Sequence, residues 1–183
     1  MTPAAGFDFS NRRAGNRLTG MGRVTAITIA PAKGAARQSV DRAELRSNWG
    51  LEGDAYAGPG PRQVVLLAAA ARDAIEAAKR PTGGGSLGYG PTGSGGERAT
   101  TGLCYPRFRE NILVDGLDPG TLTSGAILNI GPASLCVSEA SKRCYPECTI
   151  DKRDCEIRGH VAFCTVERGG AVAVGDDVAA VSA

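Results

Sequence analysis

Short β-branched and apolar runs, parted at close intervals by glycine and proline, constrain this chain more than any other feature. Val24, Ile27 and Ile29 lie in such a run, which Pro31 ends. Gln63–Leu67, Asn111–Val114, Ala126–Ile130, Ala133–Ser138 and Val161–Val166 repeat the pattern, and Val172 and Val174 alternate between a Gly169-Gly170 turn and a Gly175-Asp176 turn before a last strand. Strands this short and this regularly spaced predict a mostly β fold, a closed barrel or a sandwich, in which each strand shows one face to a common core. A single helix interrupts them. Leu67, Ala70, Ala71, Ala74, Ile75 and Ala78 recur at helical spacing, Arg72, Asp73, Glu76 and Lys79 lie opposite, and Pro81 stops the run. Asp41–Asn48 reads as a short helical turn before Gly50.

With 183 residues the chain is long enough for one substantial core, so a single domain over residues 21–183 is expected. Residues 1–20 mix Gly, Asn, Arg and Pro without period and read as a flexible extension. Residues 82–98 are dominated by Gly, with Ser, Thr and Pro, and lack the apolar surface that offsets the entropy of ordering; a mobile loop is expected.

The formal net charge of +2 is too small and too dispersed for a phosphate-tracking nucleic-acid surface. A small anionic ligand remains compatible with it. No run of apolar residues is long enough to span a membrane. Arg12, Arg13 and Arg17 are not followed by a signal-peptide core, so a cytoplasmic location is expected, as monomer or homodimer. In that compartment the six cysteines are read as reduced thiols available for packing, metal binding or catalysis.

Three of them, Cys144, Cys148 and Cys155, share one stretch with Lys142, Arg143, Lys152 and Arg153. Thiolate is the reactive and ligating form of cysteine, and neighbouring cations bring its pKa from about 8.5 into roughly the 3.5–7.5 range. Three readings stay open here. A soft thiolate suits molybdenum, zinc or copper(I), or carries sulfur as a persulfide; three thiolates and a fourth ligand staple the loop around zinc, or two of them form a redox disulfide; or the three are plain buried thiols. Cys136 and Cys164 sit in apolar strand patterns and are expected in the core. Cys104 is left undecided. His160, the one histidine, is assigned a surface or capping role, and Asp54 an Asx-type bond that orders its Gly-flanked loop.

In chain order, Gly50-Leu-Glu-Gly-Asp-Ala-Tyr-Ala-Gly58, Arg62-Gln-Val-Val-Leu-Leu67, Phe108-Arg-Glu-Asn-Ile112, Ser141-Lys-Arg-Cys144 and Gly169-Gly-Ala-Val-Ala-Val-Gly-Asp176 resemble the successive motifs of the MOSC family, the molybdenum cofactor sulfurase C-terminal domain, in its small stand-alone bacterial form. The resemblance implies a MOSC, pyruvate-kinase-like β-barrel with a few short helices and a role in binding or servicing the molybdenum cofactor. Ser-Lys-Arg-Cys144 is similar to the segment that carries the molybdenum-ligating cysteine in a MOSC enzyme, which ranks Cys144 first as the metal-binding or sulfur-carrying residue. Tyr56 and the neighbourhoods of Pro61 and Tyr145 depart from the family, whose small bacterial members often have histidine there. Molybdopterin ends in a phosphate, which a guanidinium fork grips bidentately. Arg62, Arg109, Lys142 and Arg143 are therefore candidates to hold it, with Asn111 as a donor to the pterin. The alternative is that Arg62 and Arg109 bond loop carbonyls and brace the barrel. Three functions follow: a cofactor-binding or sulfur-carrying protein, a non-enzymatic metal- or partner-binding module with a structural cysteine cluster, and a reductase component for N-hydroxylated compounds. The first and third need a separate redox or sulfur-donor protein.

Overall fold

A computed structural model describes residues 18–79, 103–105 and 107–181. The loop expected at 82–98 and most of the extension expected at 1–20 lie outside these. Eleven strands, two α-helices and one 3-10 turn follow in chain order among the described residues. They are β1 (Leu18–Ile29), β2 (Gln38–Val40), β3 (Arg42–Arg46), β4 (Gly50–Leu51), β5 (Val64–Ala68), α1 (Ala69–Lys79), β6 (Ile112–Asp115), the 3-10 turn Pro119–Thr121, β7 (Ile127–Ile130), β8 (Ala133–Ala140), α2 (Glu156–Gly159), β9 (Val161–Arg168), β10 (Gly170–Ala173) and β11 (Asp177–Val181).

Seven strands close a ring, β1-β6-β5-β9-β8-β7-β11, because the first half of β1 pairs with β11. Its second half pairs with β6 and then β2. Every neighbour in the ring is antiparallel except β5 and β6, whose connection passes through α1. Closure leaves no open edge in the ring, and alternate side chains point inward. Val24, Ile27, Leu66, Ile112, Leu128, Leu135, Val137 and Val166 fill the interior and are buried. A second sheet, β10-β3-β4, packs beside it.

The strand expectations hold with shifted ends, and three details change. Leu18–Gly20, assigned to the extension, are the start of β1. The helical turn expected over Asp41–Asn48 is strand β3, held in register by β10 from Ala43 opposite Val172 to Leu45 opposite Gly170; pairing to a distant segment overrides local helix preference. Cys136, expected in the core, is half-buried on the barrel's outside, since its neighbours Leu135 and Val137 take the inward positions. Cys164 is sealed inside as expected, and burial pushes its thiol pKa up.

A smaller apolar layer covers the outside of β5 and β9. Leu67, Ala71, Ile75, Tyr105, Phe108, Cys155, Ile157 and Phe163 form it. Both faces of these strands are thus buried, which explains the unbroken apolar reading of Val161–Cys164. Gly120 marks the tightest contact beneath α2: a Cβ there would lie 1.7 Å from the Gly159 carbonyl oxygen. Only glycine permits that approach.

Candidate functional site

Beside this outer layer the surface opens into a cavity of about 750 Å³, within the usual size of a small-molecule site. Four of the five motifs that carry the family resemblance contribute to its wall: Asp54 and Tyr56, Arg62 with Gln63 and Val65, Phe108 with Arg109 and Asn111, and Lys142. The ring of strands brings them together, because β5, β6 and β9 are neighbours. Strand β4, ahead of the loop that leads to β5, opens at Gly50, whose φ is 121° and whose Cβ, if present, would lie 2.6 Å from the Gln63 carbonyl oxygen.

The floor is a knot of satisfied polar groups. Asp54, buried, accepts from the Tyr56 amide at 2.9 Å through Oδ1, the expected Asx-type bond. Its Oδ2 accepts from Arg37 Nη1 at 2.9 Å and from Asn111 Nδ2 at 2.6 Å. Asn111 Oδ1 in turn accepts from the Val65 amide at 3.0 Å. These bonds engage both ends of the Asn111 amide in tying the loop to β5, which makes it a part of the frame. Gln63 acts likewise, its Oε1 accepting from the Val166 amide at 2.9 Å.

Five cations stand around this floor, and they differ in how they are balanced. Arg62 pairs with Glu139 at 2.5 Å and stacks over the Phe163 ring at 4.3 Å. Arg37 pairs with Asp54, yet its Nε is buried without a hydrogen-bond partner. Arg107, Arg109 and Lys142 have no carboxylate partner among the described residues. Arg109 Nη1 donates to the Phe108 carbonyl at 2.7 Å. Lys142 Nζ donates to Cys104 Sγ and to the Arg143 carbonyl, each at 3.2 Å, and lies 4.8 Å from the Tyr145 ring centroid. The wall therefore carries an excess of positive charge at Arg107, Arg109 and Lys142. Glu110 does not offset it, being paired with Arg72 of α1; burial, more than any neighbour, pulls the Arg72 pKa down.

Of the residues expected to form a site, Arg62, Arg109, Asn111 and Lys142 line the cavity. Arg143 is exposed and offers only its carbonyl to Lys142. Cys144 and Cys148 are half-buried and Cys155 is buried, all three outside the wall. Cys155 packs in the outer apolar layer at the start of α2. Burial pushes its thiol pKa up, the nearby Cys144 and Cys148 add to this, and the amides of Arg158 and Ile157 oppose it. Among the described residues no group of three or more His, Cys, Asp or Glu is arranged to hold a metal ion. His160 has the expected capping place at the end of α2, with Nδ1 2.6 Å from Asp118 Oδ2.

The charged wall residues Arg37 and Arg107 escaped the sequence reading, and Cys104 was left undecided. None carried a sequence signal: Arg107 is placed by a turn in which its amide and that of Phe108 donate to the Cys104 carbonyl, Arg37 by Asp54 and Cys104 by Lys142.

The MOSC domain profile matches residues 62–179. No curated protein matches the sequence. Among solved structures, the YuaD protein from Bacillus subtilis superposes with a TM-score of 0.59 at 17% identity, over 92% of this chain and 98% of that one. A hypothetical protein gives 0.53 at 20% identity, over 89% of this chain and 70% of that one. YiiM from Escherichia coli gives 0.49 at 21% identity, over 88% and 70%. The first two likenesses carry the fold.

Proposed function

The chain belongs to the MOSC domain family, and from that premise we propose that it is a molybdenum-cofactor-related protein whose cavity receives an anionic, phosphate-bearing ligand. The observation that supports this most is the unbalanced charge of Arg107, Arg109 and Lys142 around a cavity of about 750 Å³. A bound phosphate offers those cations the counter-charge that the described residues do not supply, and guanidinium groups are suited to meet it with paired hydrogen bonds.

The wall would supply cations for the phosphate of the molybdenum cofactor, and Cys144, just outside that wall, would supply sulfur for a soft metal. Arg109 and Lys142 would hold the phosphate end, with Arg62 stacked on Phe163 at the side. The cofactor, when bound, supplies redox chemistry at the metal or a place to which sulfur is delivered. Cys144 follows Lys142 by two residues and precedes Tyr145, and both of those line the cavity, which supports a role for its thiol at the same mouth. Electrons or sulfur would come from a separate donor protein.

The test is metal and pterin analysis of protein isolated without oxygen from a host that makes the cofactor. Molybdenum or tungsten with a fluorescent pterin oxidation product is expected in the wild type. Both should fall away in Lys142→Met/Arg109→Met, which leaves the Asp54–Asn111 floor intact. Protein that carries neither metal nor pterin under these conditions contradicts the proposal.

A further inference from the structure

We infer that Cys104 is a second functional thiol of this protein, a covalent-modification site for small anionic molecules with a soft electrophilic centre. The inference rests on the cavity being an anion site, and it adds what the bound anion meets there. Cys104 is the one cysteine among the described residues in the cavity wall. It is half-buried, so the sulfur is neither sealed like that of Cys164 nor remote from the cavity like that of Cys136.

Geometry gives the thiol a charged companion. Lys142 Nζ lies 3.2 Å from Cys104 Sγ, and no carboxylate competes for that ammonium among the described residues. Arg107 and Arg109 share the wall. An anionic reagent is concentrated where cations line a concave, low-dielectric surface, whereas a neutral reagent of the same shape is not. Reactivity at Cys104 should therefore depend on the reagent's charge, a property that plain packing would not confer.

Iodoacetate and iodoacetamide separate these effects, because carbon, leaving group and size are matched and only the charge differs. In either reaction the Cys104 sulfur attacks the methylene carbon, a C–S bond forms, the C–I bond breaks and iodide leaves with its electron pair; the thiol proton passes to the buffer. No oxidant or reductant is consumed.

The experiment alkylates the full-length, metal-free protein with each reagent at low ionic strength and reads every cysteine by peptide mass spectrometry. The iodoacetate-to-iodoacetamide rate ratio at Cys104 is expected to exceed that at Cys148 and Cys136 by about tenfold, within the range that electrostatic focusing provides. It should shrink toward theirs in Lys142→Met and, in the wild type, on raising the salt, which screens the attraction without any substitution. A ratio at Cys104 no larger than at Cys148 and Cys136, or Cys104 left unlabelled, overturns the assignment. Inorganic pyrophosphate binding to Cys104→Ser, measured by calorimetry, tests the underlying anion site separately. If pyrophosphate binds there as in wild type while the labelling preference is missing, the thiol assignment fails alone. If it binds to neither protein, the anion site fails and the assignment with it.

Discussion

The barrel interior and the apolar layer outside β5 and β9 are both buried, but they are built differently. The interior draws mainly on strands, with Leu117 and Ala126 added from the turns beside them, in a register that closure fixes. The outer layer is assembled from a helix face, the outward residues of two strands, and loop residues Tyr105, Phe108 and Cys155. Order inside the barrel follows from a repeating pattern; order outside follows from which loops happen to meet. The cavity lies against the second region, so the chemistry of this protein sits where the chain is least regular.

Core truncations should expose that difference most strongly. Leu128→Ala, inside the closed ring, is expected to cost about 4 kcal/mol, within the range for deeply buried Leu→Ala changes. Ile157→Ala, equally buried but in short α2, should cost nearer 2 kcal/mol, since loops can settle into the space. Chemical denaturation of both variants checks this, and equal losses would erase the distinction between the two regions.

Arg72→Met probes the seam between helix and barrel. It leaves the mostly buried Glu110 carboxylate without its ion-pair partner, and removing one partner of such a pair costs about 3 kcal/mol. Asn111→Ala cuts the tie between the Asp54 loop and β5. A loss of about 2 kcal/mol is expected from the two abandoned partners, together with weaker anion binding as the floor loosens.

Tyr105 offers a smaller and pH-dependent test. Its hydroxyl accepts from the Glu156 amide at 3.0 Å at the start of α2, and burial pushes its pKa up to about 12. Because the folded value lies above the ordinary 10, the stabilising contribution is complete below pH 10. It is lost as pH rises toward 12, where the unfolded chain releases the proton more readily. Absorbance titration at alkaline pH should show a tyrosine step near pH 12, and Tyr105→Phe should remove it. The same change should cost about 1 kcal/mol by stranding the amide.

How far the sequence reveals this molecule follows the same division. Strands β6 to β8 are legible because inward positions repeat with period two, and β5 and β9, buried on both faces, because they form unbroken apolar runs. The parity also contained the answer for Cys136: with Leu135 and Val137 inward, the residue between them faces out. Segment β3 departs from the helical expectation because Glu44, Leu45 and Arg46 suit a helix locally, while pairing with distant β10 and with β4 makes them a strand. At the cavity, the motif order located Arg62, Arg109, Asn111 and Lys142. It did not distinguish Asn111 as frame from Arg109 as unpaired charge, because that depends on which partners each finds in three dimensions. Cys104 stays undecided in the sequence for the same reason, since its significance is a contact with Lys142 across 38 positions of sequence.

The central claim, that cations with no carboxylate partner among the described residues make this cavity an anion site, is tested most directly by calorimetric titration of inorganic pyrophosphate into wild type and Lys142→Met/Arg109→Met at low salt. Binding by the wild type, at least tenfold weaker in the double variant at a stability unchanged within about 0.5 kcal/mol, is the expected result. Equal affinity in the two proteins, or no binding to either, would contradict the claim.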